Sequence, residues 1–381
     1  MTASAEEHPP GEKVKMTVSE RSLDGLGAVL ESWLAGRAGV PGRPAVTGVR
    51  VPDTGGLSSR SVLFEASWAG EGAGRRGAYV ARMAPEASAL PVFPSYDLPA
   101  QFEVISAVAA RSGIPLPALR WNEPGGGPLG TPFFVMDQVD GQIPLDNPPY
   151  VFGGWLLDAT PQQRARLQRA SVAVLVQVHA IADPAAAFPG LCPPAGMDAL
   201  RCHVSAQHDY YRWALVGDGF RIPIIERSLD WLEEHWPRDR GPDVLSWGDA
   251  RIGNIIYSGF EPAAVLDWEM ASLGPRELDV SWFVFLHRFF QDIAEFFELE
   301  GLPGFLRRSD VEQCYEELSG HAPRDMDFYL TYAALRHAII MARIKRRMIH
   351  FGEDQVPEDP DDYVMHRASL EKLLAGTYQW D

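Results

Sequence analysis

The chain is 381 residues long, 46% hydrophobic and 10% aromatic, with a formal net charge of −17 at pH 7. That length exceeds one core of ordinary domain size, so two lobes or domains sharing an interface are expected, and no uninterrupted apolar run of roughly 18 residues suggests a membrane span. The acidic balance leaves no basic face for nucleic acid or an anionic membrane surface, and it is compatible with a cationic substrate without demanding one.

Cys192, Cys202 and Cys314 stand in no metal-ligand spacing, and their odd number argues against a disulfide framework. With no charged-then-apolar leader, the expectation is a soluble globular protein of the reducing cytoplasm. Residues 1–16 read as a disordered tail, rich in Glu and Pro from Met1 to Lys13.

From Thr17 to Leu34 the apolar residues Leu23, Leu26, Val29, Leu30, Trp33 and Leu34 keep helical spacing, so an amphipathic helix opens the fold. Asp53-Thr54-Gly55-Gly56-Leu57-Ser58-Ser59 is a Gly-Gly loop feeding a strand. Arg60 to Trp68 and Gly77 to Met83 read as strands flanking the turn-rich Ala69 to Arg76, a hairpin. Leu98 to Ser112 carries Phe102, Ile105, Val108 and Ala109 on one helical face, and Ile114-Pro115-Leu116-Pro117 stops it. Pro132 to Met136 is a short buried-type strand with a polar exit from Asp137 to Gly141. Residues 17–141 therefore form a small N-terminal sheet lobe with one packed helix.

Residues 142–381 are mainly helical. Pro161 to Ile181 places Pro at a first turn and repeats Leu167, Ala170, Val174, Leu175, Val178 and Ile181 along one stripe. Ile224 to His235, Leu278 to Phe297, Asp310 to Leu318 and Met326 to Ile349 are further helices, and Glu353 to Asp362 is a solvated acidic loop. Strand character interrupts them once, at Ile255-Ile256-Tyr257 and Ala263 to Leu266 across a Ser-Gly turn. No repeat of solenoid type is present.

That hairpin is framed by the sequence's most specific pattern, Ser246-Trp247-Gly248-Asp249-Ala250-Arg251-Ile252-Gly253-Asn254 followed by Val265-Leu266-Asp267-Trp268-Glu269. Phosphoryl transfer from a magnesium nucleotide needs one carboxylate to align an acceptor hydroxyl, and oxygen ligands to hold metal against the phosphates. Asp249, Asn254 and Asp267 have the residue types and spacing for these three tasks. Their plainer readings are a turn-capping Asp, a turn Asn and a strand-end Asp. Glu269 would share the strand face of Asp267 if the strand continues and would there support the metal or the substrate, and an exposed carboxylate is the alternative.

Taken in order, the Gly-rich turn, the packed helix, the Phe-Phe-Val-Met-Asp linker, the Gly-Asp-x-x-x-x-Asn loop and the Leu-Asp-Trp-Glu segment resemble the aminoglycoside phosphotransferase and choline kinase family. The resemblance covers roughly residues 45 to 345 and extends to the kinase domains fused to some acyl-CoA dehydrogenases. It implies an α+β, protein-kinase-like fold with a small antiparallel-sheet lobe that binds nucleotide and a mainly helical lobe bearing the catalytic loop and acceptor site. It also implies Mg2+ and ATP or GTP as phosphoryl donor. Asp279 resembles the family's Asp that anchors the catalytic loop, with a helix-start Asp as the competing reading.

The family pattern is not matched everywhere. Trp247 stands where His is common, Arg82 where a phosphate-gripping Lys is usual, and Gln101 where the partner acid is expected, with Glu103 a less well aligned candidate. Gly55, Gly56, Ser58 and Ser59 would offer donors to the phosphates, and Asp137, Gln138 and Val139 main-chain groups to the base. His179 reads as a hydrogen-bonded core residue. Tyr210, Tyr211 and Trp213 with His208, and His287 with Arg288, would line an acceptor pocket, or are core. The expected function is transfer of a phosphoryl group to an alcohol of a small molecule such as an aminoglycoside-like compound. The alternatives are a hydroxyacyl-CoA-type kinase, a nucleotide-binding pseudokinase and, more remotely, a metal-dependent hydrolase.

Overall fold

The computed structural model describes residues 22–37, 42–52, 59–69 and 76–380. The expected tail, the start of the first helix, the loop bearing Gly55, Gly56 and Ser58, and most of the hairpin turn lie outside the described residues.

Strand β1 spans Ala45–Arg50, β2 Arg60–Ser67 and β3 Arg76–Met83. In β2 the residues alternate strictly between buried and partly exposed, so one face of the strand is committed to the core. Its antiparallel register with β3 runs unbroken from Arg60 opposite Met83 to Ser67 opposite Arg76. With β4 (Leu119–Glu123) and β5 (Phe133–Asp137), the order across the sheet is β1-β2-β3-β5-β4. The edge strands β1 and β4 carry no such alternation, which is why the sequence pattern does not announce them.

Helix α1 (Leu26–Leu34) buries Leu26, Leu30, Trp33 and Leu34 against Phe64, Phe133 and Val135 of the sheet. Helix α2 (Leu98–Arg111) packs elsewhere. Asp97 caps it through Ala100 N–H at 2.9 Å, and Leu98, Val104, Ile105 and Val108 join Phe134 in the hydrophobic core of the helical lobe. Helix α2 is therefore the apolar link between the lobes. Its buried stripe is rotated from the expected one: Gln101 and Val104 are buried, Phe102 half-buried, and Glu103 and Ala109 exposed.

The helical lobe contains α3 (Pro161–His179), α4 (Pro184–Ala187), α5 (Ala199–Ala214), α6 (Pro223–Glu234), α7 (Glu277–Phe296), α8 (Arg308–Ser319), α9 (Met326–His350) and α10 (Arg367–Leu374). A capping box between Thr160 and Gln163 starts α3. Helices α4, α5 and α10 are additions to the sequence-based expectation. In the expected acidic loop, Asp361 is instead buried, because its carboxylate accepts from Ile224 N–H at 2.8 Å and caps the first turn of α6.

Two short antiparallel pairs carry the acidic motif: β6 (Val244–Ser246) with β9 (Ser272–Gly274), and β7 (Ile255–Ser258) with β8 (Glu261–Val265). The connection between lobes docks directly onto β7, where Gln142 and Tyr257 exchange backbone hydrogen bonds of 2.9 and 2.8 Å. A Cβ at Gly141 would lie 2.4 Å from Ile256 Cγ2 and 2.6 Å from the Tyr257 carbonyl oxygen, so this close approach requires glycine.

Candidate active site

The loop bearing Asp249 is anchored from below by Asp279, in the first turn of α7. Buried with no solvent exposure, Asp279 accepts from Ser246 Oγ at 2.7 Å, Trp247 N–H at 2.7 Å and Gly248 N–H at 2.9 Å, and pairs with His179 Nε2 at 2.9 Å. Burial pushes such a carboxyl up, but these donors outweigh it and hold Asp279 below the ordinary aspartate value. His179 also meets the Tyr315 hydroxyl at 2.7 Å, which fixes the ring in the core. At Gly248 φ is +91°, and a Cβ there would stand 2.1 Å from the Met270 carbonyl oxygen, so the turn before Asp249 accepts only glycine.

Asp249 itself is held by donors from three positions. Trp282 Nε1 donates to Oδ1 at 2.7 Å, while Asn254 Nδ2 and Arg251 Nε donate to Oδ2 at 2.6 and 3.1 Å. Burial favours protonation of this carboxyl, yet Arg251, Trp282 and Asn254 together keep its pKa below the usual aspartate range. Beneath Trp282 lies Arg336 of α9, 2% exposed, its guanidinium carbon 4.5 Å from the ring centroid. This buried cation sets positive charge behind both Asp249 and Asp279.

Asp267 follows β8 rather than ending it, because the strand stops at Val265 and Asp267 takes a left-handed φ of +59°. A non-glycine residue in that region is held there by its surroundings. Trp247, fully buried, supplies the hold: its Nε1 donates to the carbonyl oxygens of Leu266 at 2.9 Å and Asp267 at 3.1 Å. Leu266 N–H in turn donates to the Asn254 carbonyl oxygen at 2.8 Å, so the loops bearing Asn254 and Asp267 are tied together by backbone. The strand expected to continue to Glu269 does not, yet Glu269 still comes alongside Asp267. Arg82 Nη2 reaches both carboxylates, at 2.6 Å to Asp267 and 3.4 Å to Glu269.

Arg82 thus turns to the opposite lobe, and no hydrogen bond from it to Gln101 is recorded among the described residues. Burial works against its charge, but Asp267 and Glu269 more than compensate and raise its pKa above the ordinary arginine value. Ser59 is buried, with no partner recorded for Oγ among the described residues. In the linker, Asp137 N–H donates to Ala118 and Gln138 N–H to Ala78, both at 2.9 Å, while the Asp137 side chain pairs with Arg120. The N–H groups of Asp137 and Gln138 are therefore already engaged within the sheet.

Most of the expected acceptor-pocket residues are instead engaged in packing. Tyr210 donates to the Val92 carbonyl at 2.9 Å, and Tyr211 accepts from Ile222 N–H at 2.9 Å while donating to Glu226 at 3.1 Å. His287 is buried between the Tyr150 hydroxyl at 2.7 Å and the Leu302 carbonyl at 3.2 Å, and burial lowers its pKa to about 4. Arg288 is taken up by Asp292, Glu295 and Tyr378. Trp213 is 42% exposed and lines a cavity of about 380 Å³ with Leu90, Arg343, Arg346 and His350. Trp282, Arg251, Asp146 and Arg336 were not anticipated. Trp282 had a signal, lying three residues after Asp279 and so on the same helix face.

With this geometry in view, comparison with known proteins decides the family: the model of the phosphotransferase enzyme family matches residues 51–314. The chain belongs to the phosphotransferase enzyme family. Among its relatives, a probable acyl-CoA dehydrogenase of Arabidopsis thaliana is 24% identical over 297 residues, 71% of this phosphotransferase and 33% of that protein. The chain spans only 18% to 33% of the length of the first such relatives, so their full activity does not transfer with the match. A candidate aminoglycoside phosphotransferase from Ralstonia eutropha JMP134 shares the fold at a TM-score of 0.63 and 18% identity, covering 92% of this chain and 97% of that one. A thermostable aminoglycoside phosphotransferase mutant, solved with AMP-PNP and hygromycin B, gives a TM-score of 0.53 at 15% identity, covering 91% and 98%. No helix among the described residues is long and apolar enough to cross a membrane.

Proposed function

We propose that this phosphotransferase moves the terminal phosphoryl group of ATP or GTP to an alcohol of a small molecule in the cytoplasm, with Asp249 as the base. The observation that carries the reading is the union of Asp249 with Asn254 at 2.6 Å, on a loop whose backbone is tied to that of Asp267. Asp249 aligns the acceptor hydroxyl and takes its proton late, which a carboxylate with a depressed pKa can do once the oxygen carries phosphorus. Arg82 steadies the phosphates, together with the loop containing Gly55, Gly56 and Ser58.

Asn254 and Asp267 would hold magnesium, which supplies charge neutralisation at the phosphates. The donor set fits. Asn254 turns Nδ2 to Asp249, leaving its amide oxygen for an ion, and the carboxylates of Asp267 and Glu269 stand together at Arg82.

For the acceptor, the fold neighbours point to an aminoglycoside-like polyol amine, while the names of the curated relatives favour a hydroxyacyl thioester. A nucleotide-consumption screen across hydroxylated amines, sugars and hydroxyacyl thioesters, run beside Asp249→Asn, tests the reading. Consumption by the wild type alone supports it. Thermal stabilisation by magnesium nucleotide with silence against every acceptor would instead favour a pseudokinase, the reading suggested by Arg82 sitting on Asp267.

A further inference from the structure

Two carboxylates grip Arg251 from opposite sides. Its Nε donates to Asp249 Oδ2 at 3.1 Å and its Nη1 to Asp146 Oδ2, a residue 105 positions earlier in the connection that leaves the sheet lobe. The backbone makes room for this pair at Gly253, where a Cβ would stand 2.6 Å from Arg251 Nη1 and 3.0 Å from Asp146 Oδ1. Any larger residue would displace the guanidinium from between its partners.

A carboxylate offers about four lone-pair positions. Trp282 takes one on Oδ1, and Asn254 and Arg251 take two on Oδ2. One position on Oδ1 is left. The terminal torsion of aspartate is broad, so the plane of this carboxylate is set by its partners and not by rotamer preference. We propose that Arg251, clamped by Asp146, is a positioning residue of the phosphotransfer site: it pins Oδ2 and thereby aims the remaining lone pair of Oδ1 at the acceptor hydroxyl. The proposal rests on the assignment of Asp249 as the base. It requires that Arg251 act through Asp249 and not on the nucleotide, leaving nucleotide binding intact.

The test uses the full chain, labelled with nitrogen-15, and follows the indole N–H signal of Trp282, assigned with Trp282→Phe. Because that N–H donates to Asp249 Oδ1, it reports the carboxylate plane without any turnover. Arg251→Met and Asp146→Asn should move the signal in the same direction, and Arg251→Lys should restore it in part, since a lysine makes a point contact but not a fork. Stabilisation by magnesium ATP should survive in all three. With an acceptor from the screen, kcat should fall about tenfold to a hundredfold in Arg251→Met while KM for the nucleotide stays within about twofold. An unmoved Trp282 signal in the folded variants, or a wild-type kcat, overturns the proposal. Should Arg251→Met fail to fold, Asp146→Asn carries the same comparison, its carboxylate being 39% exposed. A silent screen counts against the assigned function and leaves the indole measurement to decide the positioning claim.

Discussion

In the helical lobe, Asp279 is saturated by His179, Ser246 and two backbone N–H groups, whereas from the sheet Arg82 leans across the lobes to Asp267 and Glu269. The first cluster is dry and locally complete, so nothing a ligand brings could improve it. The second joins a cation to the carboxylates proposed for metal, so on the proposed function a magnesium nucleotide would exchange those partners as it enters. One wall would then be built before the substrate arrives and the other finished by it.

The sharpest use of that contrast is to remove function without touching the anchor. Asp249→Asn should leave nucleotide affinity nearly unchanged and lower turnover by roughly two to four orders of magnitude, the range for losing a positioned base. A variant as active as the wild type would show that Asp249 is not the base. Asp279→Asn should do the reverse, acting on folding. It sets an amide among four hydrogen-bond partners that need a carboxylate, and should cost roughly 3–5 kcal/mol in chemical denaturation. A loss below about 1 kcal/mol would mean the anchor is not needed for the loop.

The next effect in size is pH-dependent and belongs to the core of the helical lobe. Burial lowers His366, packed among Phe285, Phe289 and His337, to about 4, against about 6.5 when unfolded. Its neutral ring binds no proton in the folded state above that value, so it leaves stability unchanged above pH 6.5. Between pH 6.5 and 4 the unfolded chain is protonated first and stability falls, by on the order of 3 kcal/mol for such a shift. His366→Phe should flatten the decline of melting temperature over this window. An unaltered slope would assign the acid sensitivity elsewhere.

How much of this was legible in the sequence follows the range of each interaction. Helices α7 and α9 show their periodicity locally, and the spacing within one segment places Asp249 near Asn254 and Asp267 just beyond a hairpin. Strand β1 is hidden because Gly48, at φ +65°, and mixed exposure erase its alternation. Helix α5 was obscured by its own aromatics, Tyr210 and Tyr211, which suggest a pocket and serve as braces. Contacts such as Arg82 with Asp267, 185 residues apart, or Arg251 with Asp146 leave no local trace. Chemistry that depends on which lobe a side chain turns to becomes visible only with the fold.

The smallest expected effect tests that last point directly. In Arg82→Met the cation leaves Asp267 and Glu269, whose carboxylates lose this partner and become more available to an ion. Magnesium alone should bind tighter than to the wild type, by up to about fivefold if the pair contributes near 1 kcal/mol, while magnesium ATP should bind more weakly for want of the phosphate contact. Two calorimetric titrations therefore move in opposite directions. If both weaken, Arg82 supports the site in every state and the two walls are equally preformed. If neither changes, Arg82 is a structural bridge between lobes, and the phosphates are held by other residues.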